Sequence, residues 1–264
     1  MKITVFTCNQ TRHLHLIKCL SKIADEVFAV QECTTVFPGK VEDFYKKSET
    51  MQTYFSKVIE AEEKRFPVDV FLPSNVKQFA IRMGDLNQIP LETIKQALDS
   101  DVYIVFGGSY IKGELIDFLV SKKCINLHMG VSPFYRGAGT NFWPLFDKKP
   151  EYVGSTIHFI SKGLDNGPIL YHAMPKPSDY LPFDLGMQAV YAAHTAVCEK
   201  IKSNEIFEIE PVVQNRDLEV RYTKRAEFDD EIAKGFLENP PTGEFYLERL
   251  TNHTPEGLIR PIFI

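Results

Sequence analysis

The sequence contains no apolar run close to the roughly 20 residues that a membrane-spanning helix requires. Its N-terminal apolar stretch, 1–6, is also too short for a signal peptide. The five cysteines are odd in number and scattered, without a close pair, which argues against a disulfide framework and against a zinc site. These absences predict a protein of the reducing cytoplasm with no membrane segment and no metal.

An excess of basic residues is absent too. The formal net charge is −5, and it arises from position 201 onward, where 8 Lys and Arg stand against 13 Asp and Glu. Nucleic acids bind to basic faces because their backbones are polyanions. The acidic C-terminal region therefore argues against a nucleic-acid partner, and we expect small-molecule substrates instead.

Three common signatures are missing as well. No G-x-G-x-x-G follows the first predicted strand, so the dinucleotide fingerprint is lacking. No serine lies in a G-x-S-x-G elbow, so serine-hydrolase chemistry is not indicated. Gly107-Gly108-Ser109 lacks the Lys-Ser/Thr of a phosphate-binding P-loop, although its bare backbone can approach a flat ligand closely.

What the sequence does have is an alternation of strand and helix patterns. Short apolar or alternating runs predict strands, and apolar residues at i, i+3 and i+4 predict helices. The predicted strands are 2–7, 26–30, 68–72, 102–106, 124–127, 153–160 and 169–174. The predicted helices are 14–23, 41–47, 51–65, 91–98, 113–121, 140–146 and 185–201. This order is typical of an α/β fold with a Rossmann-like, mostly parallel sheet and helices on both faces.

The 264 residues suffice for one substantial core. From position 203 the sequence becomes more polar and is broken by Asn239-Pro240-Pro241. We therefore predict a catalytic domain over 1–202 and a small C-terminal extension over 203–264.

One stretch combines residues suited to acyl transfer. Asn126 and His128 end a predicted strand, where their spacing of two places both side chains on the same face. Asp165 follows later in a turn. An amide donor, a titratable imidazole and a carboxylate could together stabilise a developing oxyanion and move protons.

Residue types and spacing alone leave a plain structural interpretation open. A histidine at the end of a strand is often an ordinary loop residue. Asp165-Asn166-Gly167 is also a favourable turn sequence in its own right, since Asp and Asn bond to the backbone and Gly accepts a positive φ. An enzyme is therefore compatible with the spacing but does not follow from it.

Two motif blocks, however, resemble the folate-dependent formyltransferase family. Asn126-Leu127-His128, with Ser132-Pro133 and Tyr135-Arg136-Gly137, is similar to its Asn-x-His-x-x-x-x-Pro-x-x-Arg-Gly signature. Residues 154–159 and 163–170 resemble its second block, and 222–225 resemble a later segment. The sequence departs from the family at Met129-Gly130, where Pro-Ser is common.

The resemblance implies a Rossmann-like catalytic domain, N10-formyltetrahydrofolate as the co-substrate, and an Asn-His-Asp site. The catalytic residues would be Asn126, His128 and Asp165. The donor pocket would be lined by Phe106, Gly107, Ser109, Tyr110 and Ile111 together with Asp165. A homodimer is an expectation at the level of the family.

The family includes several acceptors. The size and acidic tail of the chain favour the sugar N-formyltransferases, which formylate nucleotide-linked amino sugars for surface polysaccharide, such as lipopolysaccharide, over enzymes acting on initiator tRNA or glycinamide ribonucleotide. The expected substrate-binding residues are Asn9, Arg12, His13 and Arg136. Hydrolysis of the same formyl donor, and folate binding without turnover, are the other two hypotheses.

Overall fold

The computed structural model describes residues 1–36, 40–41 and 43–264. Short apolar segments form the strands of its central sheet, as expected for buried strands in an α/β fold. The strands are β1 (Lys2–Cys8), β2 (Glu26–Cys33), β3 (Thr35–Val36), β4 (Lys40–Val41), β5 (Val76–Arg82), β6 (Val102–Phe106), β7 (Ile125–Met129), β8 (Tyr135–Gly137), β9 (Ser155–Phe159), β10 (Ile169–Met174), β11 (Arg221–Thr223) and β12 (Ile262–Phe263).

Eight of these strands form one sheet in the order β5-β2-β1-β6-β7-β9-β10-β12. From β5 to β7 all neighbours are parallel, whereas β9 runs antiparallel to both β7 and β10. The chain builds outward from β1 through β2 and β5, then returns to the other side of β1 with β6 and β7. This reversal creates a crevice at the carboxyl ends of β1 and β6, which is where ligands bind in open α/β sheets.

Helices cover both faces of the sheet, as predicted. They are α1 (Thr11–Ser21), α2 (Glu49–Arg65), α3 (Gly113–Ser121), α4 (Trp143–Phe146), α5 (Asp184–Lys202), α6 (Asp230–Glu238) and α7 (Gly243–Asn252). Successive side chains of a strand point to opposite faces of the sheet, so they contribute to two separate hydrophobic cores. Ile104 packs on the face that carries α1 and α5, whereas its neighbours Tyr103 and Val105 pack on the face that carries α3.

Four of the side chains that helix α5 buries against the sheet are alanines. Ala189, Ala192, Ala193 and Ala196 are all buried, which lets the helix axis approach the strands closely. Within the part of the chain that the structure describes, no helix is long and apolar enough to cross a membrane.

Three predicted elements are wrong. Residues 68–72 form no strand, and the next strand is β5. The predicted helix 91–98 is reduced to a short 3-10 turn, Leu91–Ile94. In 41–47, Val41 belongs to β4 and Phe44–Lys46 is a 3-10 turn, while residue 42 lies outside the described residues.

The segment after α5 packs closely on the preceding residues. Strand β11 pairs with β8, and β12 extends the main sheet beside β10. Phe236 of α6 and Tyr246 of α7 are buried in a cluster with Tyr54 of α2 and Leu185 of α5. The division into 1–202 and 203–264 stays a prediction.

Candidate active site

Strand β7 places two polar side chains at the carboxyl edge of the sheet. Asn126 and His128 lie two residues apart on this strand, so the pleat directs both to the same face. Their antiparallel neighbour β9 places His158 directly opposite Asn126 in the register. The edge therefore carries an amide and two imidazoles within a few ångströms.

The turn after β9 brings Asp165 to this pair. Nδ1 of His128 lies 3.4 Å from Oδ2 of Asp165, and Nδ2 of Asn126 donates to Oδ1 of the same carboxylate at 3.3 Å. The structure thus brings Asp165, which is distant in the sequence, to Asn126 and His128. The catalytic roles predicted for them stay predictions.

His158 was assigned no role from the sequence, yet it orients Asn126. Its Nδ1 donates to the carbonyl of Phe159 at 2.8 Å, which leaves Nε2 as an acceptor for the Asn126 amide at 3.0 Å. Burial, followed by the charge of His128, lowers the pKa of His158 to about 4. His158 is therefore a neutral acceptor at physiological pH and fixes the direction of the amide.

This arrangement has a chemical consequence for the amide donors of Asn126. One N–H is bound to His158 at 3.0 Å, whereas the other has a longer contact of 3.3 Å with Asp165. The second N–H is the less tightly bound of the two. It is the one that a developing oxyanion next to His128 can capture.

A pocket of about 550 Å³ opens beside these residues, at the reversal in strand order. Its walls come from the ends of β1, β6 and β7 and from the turn at Asp165. All six residues predicted to bind the formyl donor line it: Phe106, Gly107, Ser109, Tyr110, Ile111 and Asp165. Their binding role is a prediction, but the geometry gives them a common cavity.

The four residues predicted to bind the acceptor divide into two groups. Arg12 and His13 line the pocket. Among the described lining residues Asn9 does not occur, and its Oδ1 instead accepts from the backbone N–H of Thr34 at 2.9 Å. Arg136 also lies outside the lining and donates to other side chains near the Asp165 turn.

Both lining residues of α1 are held in place. The Arg12 guanidinium is paired with the buried carboxylate of Glu62, which also accepts from the backbone N–H of Arg12 at 3.1 Å. His13 lies 2.6 Å from Thr7 Oγ1, and burial lowers the pKa of His13 well below its ordinary value. The pocket therefore meets a neutral imidazole here rather than a cation.

The loop after β6 requires glycine because His13 packs against it. Gly107 has φ +71°, and a β-carbon there would lie 2.8 Å from Cε1 of His13. Glu32 fixes the next part of this loop, since its Oε2 accepts from the backbone N–H of Ser109 at 2.6 Å. In the part of the chain that is described, no group of three or more His, Cys, Asp or Glu could hold a metal ion.

Fold and site together define an α/β protein with an amide–imidazole–carboxylate site at the carboxyl edge of a mostly parallel sheet. The sequence model of the family described as Formyl transferase matches residues 2–176. The chain therefore belongs to the formyl transferase family, which confirms the family and the enzyme class predicted from the two motif blocks.

Curated relatives and solved structures carry different acceptors in their names. A methionyl-tRNA formyltransferase of Trichodesmium erythraeum is 25% identical over 69% of this chain and 60% of its own length. One of Thermosynechococcus vestitus is 36% identical over 37% of this chain and 32% of its own length. The chain thus spans less than two thirds of these curated relatives.

Two solved structures share the fold over most of the chain. A 4-N formyltransferase from Francisella tularensis has a TM-score of 0.52 at 18% identity, covering 100% of this chain and 92% of its own. A phosphoribosylglycinamide formyltransferase from Anaplasma phagocytophilum has a TM-score of 0.50 at 15% identity, covering 85% and 98%. These likenesses confirm the predicted α/β fold and leave the acceptor unassigned.

Proposed function

We propose that this protein transfers a formyl group from N10-formyltetrahydrofolate to the amine of a nucleotide-linked amino sugar used for surface polysaccharide. One observation carries the proposal. Asn126, His128 and Asp165 converge at the edge of a pocket of about 550 Å³ in a chain of the formyl transferase family.

The pocket suits a flat, partly apolar donor such as a reduced folate. Phe106 and Ile111 supply apolar walls, and the loop between them presents bare backbone. At the mouth, Met83, Tyr110 and Leu164 are 41%, 46% and 62% exposed although their side chains are apolar or aromatic. A bound ligand that covered them would remove this apolar surface from water.

The polar edge supplies what formyl transfer requires. When an amine attacks the formyl carbon, negative charge builds on the formyl oxygen. The second N–H of Asn126 is a donor to that oxygen, and the imidazole of His128 supplies another. Asp165 holds the Nδ1 side of His128 and accepts a proton, through water, on its way from the attacking amine to the departing N10 as the carbon–N10 bond breaks.

For the acceptor, the charge of the chain supports a small molecule. The residues from 201 onward carry 8 basic against 13 acidic side chains, which disfavours tRNA docking there. The fold likeness to the 4-N formyltransferase extends over the whole chain, including this region. Arg12 and His13, which line the pocket from α1, are the candidates for contacting the sugar nucleotide.

An acceptor panel tests the proposal. The protein is incubated with N10-formyltetrahydrofolate and, separately, with amino-sugar nucleotides, glycinamide ribonucleotide, initiator methionyl-tRNA or no acceptor. Tetrahydrofolate release that requires an amino-sugar nucleotide supports the proposal. Release without any acceptor would indicate hydrolysis, and release with tRNA or glycinamide ribonucleotide alone would replace the sugar as acceptor.

A further inference from the structure

The turn that carries Asp165 has an unfavourable backbone. Asp165 has φ +47°, in the left-handed region that residues other than glycine rarely adopt. Gly167 follows in tight contact with β9, where a β-carbon would collide with the carbonyl oxygen of Phe159. Such a conformation persists only when neighbouring groups hold it.

The segment after α5 supplies the groups that hold this turn. Nε2 of Gln214 donates to the carbonyl oxygen of Asp165 at 2.8 Å and to that of Gly167 at 2.9 Å. Val212 and Ile169 exchange backbone hydrogen bonds of 2.7 and 2.8 Å in an isolated antiparallel bridge. The chain therefore runs along the turn and bonds to it through Val212 and Gln214, the residues on either side of Val213.

A third contact comes from the same region. Arg136 donates to Oδ1 of Asn166 at 3.1 Å and is itself bound to Glu219 at 2.8 Å. Residues 212–219 thus contact Asp165, Asn166, Gly167 and Ile169, directly or through Arg136. All of them lie outside the residues 2–176 that define the family match.

We propose that Gln214 is a positioning residue for the carboxylate of Asp165, so that the segment following α5 completes the active site. The chemistry is specific. Two carbonyl oxygens converge on one nitrogen, and a carboxamide supplies two N–H donors to them, whereas a carboxylate of the same shape supplies none and repels both. Without this nitrogen the turn loses its left-handed conformation, and Asp165 leaves His128 and Asn126.

The consequence for catalysis rests on the proposed function, but the role of the Gln214 hydrogen bonds in holding the turn does not. The test therefore uses two readouts. Hydrogen exchange of the backbone amides of Phe159 and Ile169, which donate to the carbonyls of Pro168 and Val212, reports the turn in the ligand-free protein, and kcat and KM for N10-formyltetrahydrofolate report catalysis. Overall stability alone would not distinguish an effect on the turn from an effect on catalysis.

Gln214→Glu is compared with Gln188→Glu, a matched control on α5. Nε2 of Gln188 also donates to a backbone carbonyl of the C-terminal region, that of Ile264 at 3.2 Å, but away from the pocket. We expect Gln214→Glu to speed exchange of the Phe159 and Ile169 amides at least tenfold and to lower kcat about tenfold or more, with KM for the donor changed less than about threefold. Gln188→Glu should change neither quantity.

Unchanged exchange in the turn of Gln214→Glu would overturn the proposal, as would faster exchange with an unchanged kcat. If Gln214→Glu does not fold, Gln214→Asn carries the same test, since it is neutral but too short to reach both carbonyls. If the wild-type protein turns over no acceptor, the proposed function fails, while the exchange comparison still decides whether Gln214 holds the turn.

Discussion

Nδ1 of His128 lies 3.4 Å from Oδ2 of Asp165, although His128 belongs to β7 and Asp165 to the turn between β9 and β10. The other oxygen of the same carboxylate accepts from Asn126 at 3.3 Å. One carboxylate therefore bridges the two side chains that β7 directs to the pocket. Asp165 is therefore the residue that links Asn126 to His128.

Replacing His128 tests the chemistry of this group. His128→Asn should lower kcat by at least about 100-fold, because it removes both a donor to the developing oxyanion and the contact that holds the proton-accepting carboxylate of Asp165. Steady-state kinetics with the donor and acceptor measure the effect. His253→Asn, a histidine exposed at the end of α7, is the control and should keep wild-type kcat. Near-normal kcat in folded His128→Asn would reject the imidazole's role.

Gly130 is part of the departure from the family at Met129-Gly130, and its surroundings leave no space for a β-carbon. It has φ +146°, and a β-carbon there would lie 2.5 Å from Thr140 Cβ and 3.0 Å from Nε2 of His128. Gly130→Ala should therefore both destabilise the fold and displace His128, which would lower kcat about tenfold or more. Thermal unfolding and kinetics on the same preparation measure the two effects.

Two further variants identify the cause of that loss. Thr140→Gly in the Gly130→Ala background removes the closest collision, which is with the β-carbon of Thr140, but not the backbone strain, so it should restore kcat only in part. Gly186→Ala lies in helix α5 with open space around it and should stabilise the protein by up to about 1 kcal/mol. If Gly130→Ala and Gly186→Ala had equal effects on stability and kcat, the collision assigned to Gly130→Ala would be contradicted.

Glu32 joins two loops that border the donor pocket. Its buried carboxylate accepts from the backbone N–H groups of Gly84 at 2.9 Å and of Ser109 at 2.6 Å. Glu32→Gln places a donor against one of these donors, which should cost about 1–3 kcal/mol of unfolding free energy. Because Ser109 belongs to the donor loop, KM for N10-formyltetrahydrofolate should rise about tenfold, with a smaller change in kcat.

The matched control is Glu26→Gln, which only weakens a partly exposed ion pair with Lys77. It should change stability by less than about 1 kcal/mol and leave KM unchanged. Titration of the donor by fluorescence or calorimetry gives the affinities directly. A Glu32→Gln protein with wild-type donor affinity would show that the loop does not depend on this carboxylate.

A buried histidine, His172, makes the stability of the protein depend on pH. His172 accepts from the N–H of Ile259 at 2.9 Å and donates to the carbonyl of Ser132 at 2.8 Å, and burial lowers the pKa of His172 from 6.5 to about 4. Between these values the unfolded chain binds a proton that the folded chain does not. The free energy of unfolding therefore falls as pH drops from 6.5 toward 4, by on the order of 3 kcal/mol for this one group.

Urea unfolding across this pH range checks the prediction. His172→Gln should be less stable than wild type at pH 7 but should show a shallower loss toward pH 4, by up to one proton in the slope. His253→Gln, which alters an exposed histidine, should keep the wild-type slope. A slope unaffected by His172→Gln would mean that this side chain is not a buried neutral base.

Much of the fold could be predicted because the inner strands are uniformly buried. The predicted bounds of Val102–Phe106, Gly113–Ser121 and Ile169–Met174 agree with the structure, and all three segments are strongly apolar. Strand β5 was missed since most of its side chains are exposed on the outer edge of the sheet, which removes the alternation that marks a strand.

The site was predicted in part for a similar reason. The spacing of Asn126 and His128 follows from strand periodicity, which is local. His158 and Gln214 act through the register of β7 with β9 and through a remote segment, and neither relationship is encoded in local periodicity. Such contacts become visible only when the fold is known.

The most direct test of the central claim is product identification. The protein, N10-formyltetrahydrofolate carrying a ¹³C-formyl group and a panel of amino-sugar nucleotides are combined, and the sugar nucleotides are recovered for mass spectrometry and NMR. We predict a ¹³C-labelled formamide on the amino group of one sugar nucleotide, formed with an equal amount of tetrahydrofolate and lost in His128→Asn. Tetrahydrofolate accompanied by free ¹³C-formate, with every sugar amine unmodified, would contradict it.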